Sequence, residues 1–163
     1  MKEAKMILDD TFISKDEADD FYTKLMVHSA EWGLGWFLAH RTSEVHIENY
    51  ATEDTNTHES FQMVAPVHPG SPVYFMALNL FHKFCDKHSI KYKSIHRIKF
   101  NLLPMIPGYD DGLYHTPHID SDIEHNVFLY YVNDADGDTF FFNEMYDGSE
   151  RYDFSVQQRI TPK

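Results

Sequence analysis

The spacing of apolar residues changes along this chain, and that change limits the folds open to it. Up to His88, two segments carry apolar residues at every third or fourth position, as helices with one buried face do. After His88 apolar and polar residues alternate, as they do in half-buried strands. Helices followed by a run of antiparallel strands predict an α+β domain in which the strands form a sandwich or a barrel.

The first predicted helix covers residues 13–29. Ser14 and Glu17 have the spacing of a capping box, in which each side chain accepts a hydrogen bond from the backbone of the other. Apolar residues at helical spacing give this segment one face for packing, so we expect a structural role for it.

The second predicted helix covers residues 71–88. Ser71 is a suitable N-cap, and Pro72 fits the first helical position because the N–H that proline lacks is not bonded there. His82 and Cys85 lie in the apolar stripe of this helix. We therefore expect them at core or boundary positions rather than as metal ligands.

Strands are predicted in five segments, which are residues 44–50, 95–103, 127–133, 139–144 and 152–158. Their residues alternate in character or are rich in aromatic and β-branched types. The pair Asp136-Gly137 is typical of a tight hairpin turn. It predicts that the strands on either side of that turn pair with each other.

Composition narrows the function classes. Cys85 is the single cysteine, so the chain can form no internal disulfide and no cage of several thiolates, and we expect a cytoplasmic protein. The formal net charge of −12 argues against a strong nucleic-acid-backbone binder, although a local basic patch is not excluded. Neither a secretion signal nor a run of transmembrane length is recognisable, so no membrane partner is expected.

His118 and Asp120 are the first candidates for metal ligands. Side chains two positions apart on a strand point to the same face. An imidazole and a carboxylate presented together supply two of the three ligands of the 2-His-1-carboxylate site of non-haem Fe(II). With 11 histidines and 26 acidic residues in the chain, however, this triplet alone is weak support.

The sequence is less suited to other metal sites. Pro117 opposes a helix that would bring His115 and His118 together, and no His-Glu-x-x-His occurs. The segment NDADGD lacks the first and last ligands of a calcium loop. A zinc-dependent hydrolase using His115, His118, Asp120 and His125 stays open, as does a binding module without a metal.

Residues 115–120, HTPHID, are followed at 125–144 by HNVFLYYVNDADGDTFFFNE. These motifs resemble the 2-oxoglutarate/Fe(II)-dependent oxygenases, particularly their prolyl 4-hydroxylase-like branch and its virus-encoded members. That family has a His-x-Asp on a core strand, then a strand reading like Tyr-Tyr-Leu-Asn, then an acidic turn with a Gly-x-Thr element. The resemblance covers residues 95–144, and its ordered motifs are more specific than His-x-Asp alone.

The resemblance implies a double-stranded β-helix, a cupin-like jelly roll with N-terminal helices packed on one sheet. It implies a dioxygenase that uses Fe(II) and the cosubstrate 2-oxoglutarate to hydroxylate a C–H bond, with ascorbate as a candidate further cofactor. A peptidyl proline is the candidate substrate, and other peptides or small molecules are open. Nucleic acid is disfavoured by the acidic charge.

The family's site residues carry over by motif. His118 and Asp120 correspond to iron ligands, and Tyr131 to a hydroxyl donor to the cosubstrate carboxylate. If alternate residues of 127–133 line the barrel, Tyr131 points inward and Tyr130 outward. Asn101 and Thr139 are assigned to the same cosubstrate site. His115 and His125 are expected at the pocket rim or surface.

One departure from the family concerns its second histidine and the Arg or Lys that binds the cosubstrate. No histidine follows His125, and Arg159 and Lys163 come too early to match the basic residue. We therefore expect residues 1–163 to be a single oxygenase domain that is incomplete at its C-terminus, lacking its last strands and the third iron ligand.

Overall fold

The computed structural model describes residues 6–39, 61–105, 113–115, 117–121, 123–144 and 154–162. Its elements, in chain order, are α1 (Lys15–Tyr22), a π-helical turn (Thr23–Val27), β1 (Phe37–Ala39), β2 (Gln62–Pro66), α2 (Pro72–His88), β3 (Lys99–Leu102), β4 (Thr139–Phe142) and β5 (Val156–Ile160). This mixture of helices and antiparallel strands agrees with the predicted α+β class. The strand predicted at 44–50 lies outside the described residues.

Contacts group the chain into two compact units, each built from separate stretches. The helical unit contains the residues up to Gly35 together with Pro66–Lys99. The strand unit contains Trp36–Ala65 and Phe100–Pro162. Within the residues that the structure describes, no helix is both long enough and apolar enough to cross a bilayer.

Helix α1 begins with the predicted capping box. The Ser14 hydroxyl accepts from the Glu17 backbone N–H at 3.3 Å, and the Glu17 carboxylate accepts from the Ser14 N–H at 3.0 Å. The regular helix ends at Tyr22, earlier than predicted, and continues as the wider π-helical turn. The Thr23 hydroxyl donates to the Asp19 carbonyl at 2.8 Å. Bonding of this kind competes with the helical backbone pattern at the point where the helix changes.

Helix α2 also begins as predicted, since the Ser71 hydroxyl accepts from the Tyr74 backbone N–H at 3.2 Å and Pro72 follows the cap. It ends at His88, and Ser89 adopts a left-handed conformation with φ of 53°. Cys85 is buried, which confirms its predicted place in the core.

Asp9 fastens the N-terminal segment to the end of α2. Its side chain is 6% exposed and lies 2.8 Å from Lys87 Nζ and 2.7 Å from His88 Nε2. It also accepts from the backbone N–H of Thr11 at 2.8 Å. The contact with Lys87, followed by that with Thr11, holds the pKa of Asp9 well below its ordinary value of 3.8.

The first sheet has the strand order β1-β2-β3, and β1 pairs antiparallel to β2 with Phe37 opposite Val64. Strands β1 and β2 were not predicted. Strand β3 falls inside the predicted segment 95–103 but is shorter.

The second sheet pairs β4 with β5 antiparallel, with Thr139 opposite Ile160. Strand β4 lies wholly within the predicted segment 139–144, and β5 lies partly within the predicted segment 152–158. The predicted hairpin is wrong, because residues 127–133 form no strand and β4 pairs with β5 instead. Val127 and Leu129 are exposed, so the predicted apolar face gains no burial that would hold the segment in a sheet.

Candidate cosubstrate and metal site

Strand β4 holds the segment that leads into the His-x-Asp motif. Tyr114 is buried, and its ring centroid lies 5.6 Å from that of Phe140 and 4.9 Å from that of Phe142. Aromatic contacts at these distances stabilise beyond the area they bury. Tyr114 therefore anchors to β4 the chain four residues before the iron-ligand candidate His118.

The first residue of β4 contacts a second candidate. The Tyr131 hydroxyl donates to the Thr139 Oγ1 at 2.6 Å, and both residues are half-buried. Two of the three residues assigned to the cosubstrate site are thus in direct contact. The same bond also satisfies the tyrosine hydroxyl, as a purely structural tyrosine would require.

An ion pair borders this contact. The Asp138 side chain, 3% exposed, pairs with Arg159 on β5. Arg159 is the residue opposite Phe140 in the β4–β5 register, and its guanidinium lies 5.4 Å from the Phe140 ring centroid. A nearly enclosed carboxylate costs free energy unless it is paired, so this pair fixes the start of β4 against β5.

The iron-ligand candidates lie outside the regular strands. His118 and Asp120 are both exposed, and residues 117–120 form no strand. Strand alternation therefore does not explain how these two side chains are arranged, and that part of the prediction is wrong. Pro117 contributes to the difference because it lacks the N–H needed for a sheet ladder. Asn101, the third cosubstrate candidate, is exposed on β3.

The donors do not assemble into a complete metal site in the part of the chain that the structure describes. No group of three or more His, Cys, Asp or Glu side chains is placed to hold a metal ion there. All four residues of the zinc-hydrolase hypothesis, His115, His118, Asp120 and His125, belong to that part. The His125 Nδ1 lies 2.7 Å from the Ile123 carbonyl oxygen, to which it donates. The described residues thus fit neither a three-ligand iron site nor that zinc site.

The segment 127–133 was expected to be a strand, and both of its tyrosines are half-buried. Tyr130 is half-buried like Tyr131, and desolvation raises the pKa of the Tyr130 hydroxyl. Phe128 is half-buried as well, whereas its neighbours Val127 and Leu129 are exposed. The placement of Tyr130 outside the barrel stays a prediction, and Tyr130 provides a neighbouring tyrosine for comparison with Tyr131.

Sequence reasoning also missed the residues that organise β4. Tyr114 stands in a segment without periodicity, so no pattern marked it as a core residue. Asp138 could have been noticed in the sequence, because it directly precedes a predicted strand. If that strand is buried, an acidic residue beside it needs a cationic partner. The partner, Arg159, lies 21 positions later (159 − 138) on a strand whose pairing was not predicted.

Comparison of the chain with models of protein families, with curated proteins and with solved structures finds no match. The resemblance to the oxygenases thus depends on the motifs of the sequence.

Proposed function

We propose that this chain is a 2-oxoglutarate- and Fe(II)-dependent dioxygenase that hydroxylates a C–H bond, with a peptidyl proline as the candidate substrate. The observation that carries the proposal is the meeting of separate motifs on β4. Tyr114, which leads into His118 and Asp120, packs on Phe140 and Phe142. Tyr131 of the Tyr-Tyr motif bonds to Thr139 of the Gly-x-Thr motif.

The proposed fold is a jelly roll with helices on one sheet. The two antiparallel pairings, β1 with β2 and β4 with β5, are compatible with it. Strands β4 and β5 would belong to one wall of the barrel. In that arrangement the ion pair between Asp138, which precedes β4, and Arg159 on β5 would hold the two strands together.

Each residue has a proposed role in binding. Tyr131 would turn its hydroxyl from Thr139 to a carboxylate oxygen of 2-oxoglutarate, and Thr139 would keep the phenol oriented before the cosubstrate arrives. His118 and Asp120 would each provide one donor to iron. Because the described donors amount to less than a complete set, we derive no chemical step at the metal.

The role of Tyr131 is tested by 2-oxoglutarate binding under anaerobic conditions with Fe(II) present, measured by calorimetry on a form of the protein that continues past Lys163. Tyr131→Phe removes the proposed donor to a charged carboxylate, a loss worth about tenfold or more in affinity. Tyr130→Phe is the matched control, since it removes the adjacent hydroxyl, and it should bind as the wild type does. Equal affinities for all three proteins would show that Tyr131 has a structural role only.

A second candidate is a non-catalytic binding module that kept the fold and lost its metal. The observation in its favour is the absence of any three-donor group from the residues with described positions. Metal analysis after dialysis against Fe(II), made on a form of the protein that continues past Lys163, separates the two candidates. The dioxygenase predicts bound metal that His118→Ala removes and His115→Ala retains, and it predicts succinate formation from 2-oxoglutarate. The module predicts neither.

A further inference from the structure

The chain is strongly acidic, yet one stretch of it contains no carboxylate side chain. Between Asp86 and Asp110 the sequence has no Asp or Glu. The same stretch carries these cationic residues: Lys87, Lys91, Lys93, Arg97 and Lys99. The formal net charge of the whole chain is −12. This stretch is thus a basic segment within an acidic sequence.

Part of that stretch forms an exposed surface on the helical unit, which we name the basic strip: Lys91, Tyr92, Lys93, His96 and Arg97. All five residues are exposed. Lys87, by contrast, is already paired with Asp9. Among the residues with described positions, neither Lys91 nor Lys93 takes part in an ion pair. Their charges are thus available to an anionic partner.

Tyr92 supplies an aromatic ring between the two lysines. Its hydroxyl lies 2.6 Å from His82 Nε2 on α2. Its ring meets Phe81 edge-on, with centroids 5.0 Å apart and planes at 61°, and stacks on His82 at 23°. The residue nevertheless stays 45% exposed. The contacts with Phe81 and His82 already fix the Tyr92 ring, which is still partly open to solvent. Such a ring loses little side-chain entropy when a planar group stacks on it.

A cleft adjoins the second half of the strip. It has a volume of about 170 Å³, and its lining includes Tyr74, His96 and Arg97. A backbone hydrogen bond of 3.0 Å from Val67 N–H to the Ile98 carbonyl joins two of its walls. Two residues of the basic strip, His96 and Arg97, therefore line a concave surface.

From these features we infer that the basic strip binds single-stranded nucleic acid, with phosphates against Lys91 and Lys93 and a base stacked on Tyr92. Positive charge that follows the backbone, combined with an exposed aromatic ring, is the arrangement by which proteins bind single strands without sequence preference. An acidic polypeptide would use the lysines but would gain little from the fixed ring. The inference does not depend on the dioxygenase proposal, whose residues belong to the strand unit.

The test uses the full chain and a fluorescently labelled oligothymidylate of about ten nucleotides, within the site sizes of single-strand binders. Fluorescence anisotropy is measured over a series of salt concentrations. We expect binding that weakens with salt, and the double variant Lys91→Gln/Lys93→Gln should reduce the slope of log K against log [salt] by roughly 1.4, for two lost phosphate contacts.

Matched variants separate local from general charge effects. Lys15→Gln/Lys24→Gln makes the same change in net charge on lysines that are paired with Asp19 and Asp20, and it should bind nearly as the wild type does. Tyr92→Leu should bind on the order of tenfold more weakly, whereas Tyr92→Phe keeps the ring and most of the affinity. Thermal unfolding checks that each variant is folded. Because Lys91 and Lys93 are exposed, replacing them does not disturb the core. The lysine double variant therefore tests the inference even if Tyr92→Leu does not fold.

Three results would overturn the inference. The first is an absence of oligonucleotide binding at low salt. The second is equal weakening by the two lysine double variants, which would mean that net charge alone acts. The third is displacement of the oligonucleotide by poly-L-glutamate at equal charge concentration, which would assign the strip to acidic polypeptides instead.

Discussion

Asp138 carries a nearly enclosed carboxylate beside the candidate site, and its partner Arg159 is 46% exposed. Removing Arg159 alone leaves that carboxylate without its counter-charge. We expect Arg159→Ala to lower the free energy of unfolding by about 1–2 kcal/mol, discounted from the cost of a fully buried pair because the arginine is partly in solvent. Urea denaturation at neutral pH measures the change.

The double variant Asp138→Asn/Arg159→Ala is the control for this pair. It removes the enclosed charge together with its partner, so it should be less destabilised than the sum of the two single variants. Strict additivity of the single changes would mean that the two side chains do not interact in solution.

Asp9 gives the N-terminal segment a dependence on acid. Its folded-state pKa is depressed by Lys87 and then by the Thr11 N–H, so the carboxylate contributes stability above its ordinary pKa of 3.8. That contribution is lost as the pH falls below 3.8 toward the folded-state pKa. Asp9→Asn should lower the free energy of unfolding at pH 7. The variant should also lose less of that free energy than the wild type does between neutral and acid pH.

Urea midpoints at neutral and acid pH measure this effect. Asp10→Asn is the matched control, because it makes the same charge change at an exposed neighbour, and it should keep the acid response of the wild type. If Asp9→Asn loses stability in parallel with the wild type at every pH, the contacts of Asp9 with Lys87 and His88 contribute no pH dependence.

At the residue scale, the motifs were informative for one pair of residues and not for His118 and Asp120, which lie outside the regular strands. Tyr131 and Thr139 were assigned to one site, and they are in contact. The contacts of Tyr114 and of Arg159 could not be predicted, since both arise from pairing between segments far apart in the chain. Local patterns contain no information on which distant segment an aromatic ring will meet.

At the element scale, Ser89 ends α2 with a positive φ of 53°. Residues with a Cβ are strained in this conformation, and glycine is not. Ser89→Gly should raise the free energy of unfolding by about 0.5–1 kcal/mol, after allowance for the greater freedom of glycine in the unfolded chain. Ser89→Ala keeps the Cβ and should bring no gain. Equal stabilities of the two variants would contradict the left-handed cap.

The helix N-termini were predictable because Ser14, Glu17, Ser71 and Pro72 act within one turn of the backbone. The strands were harder to predict. β1 and β2 are short and carry no alternation, with burial in β2 running buried, half-buried, half-buried, buried, exposed. Residues 127–133 look like a strand in sequence, yet the partner of β4 is β5, and strand pairing is a property of the whole sheet.

At the scale of the whole molecule, the two units share one chain that passes between them after Gly35, Ala65 and Lys99. Neither unit is a continuous segment of the chain. We expect residues 1–163 to unfold in one cooperative transition, as the single-domain prediction requires.

The two tryptophans allow a direct measurement, since Trp32 belongs to the helical unit and Trp36 to the strand unit. Trp36→Phe leaves fluorescence from Trp32 alone, and Trp32→Phe leaves that from Trp36. Each variant's fluorescence midpoint in urea should coincide with its own far-ultraviolet circular dichroism midpoint. The contrary result is a fluorescence midpoint above the circular dichroism midpoint in one variant and below it in the other. It would indicate two units that unfold independently.

The most direct test of the central proposal is the absorption, in the absence of oxygen, of Fe(II) and 2-oxoglutarate with a form of the protein that continues past Lys163, because His118 and Asp120 supply only two of the three iron ligands. We expect a weak visible charge-transfer band, from the cosubstrate chelating the iron, that disappears in His118→Ala and persists in His115→Ala. A wild-type spectrum identical to that of Fe(II) and 2-oxoglutarate without protein would contradict the assignment to the dioxygenases.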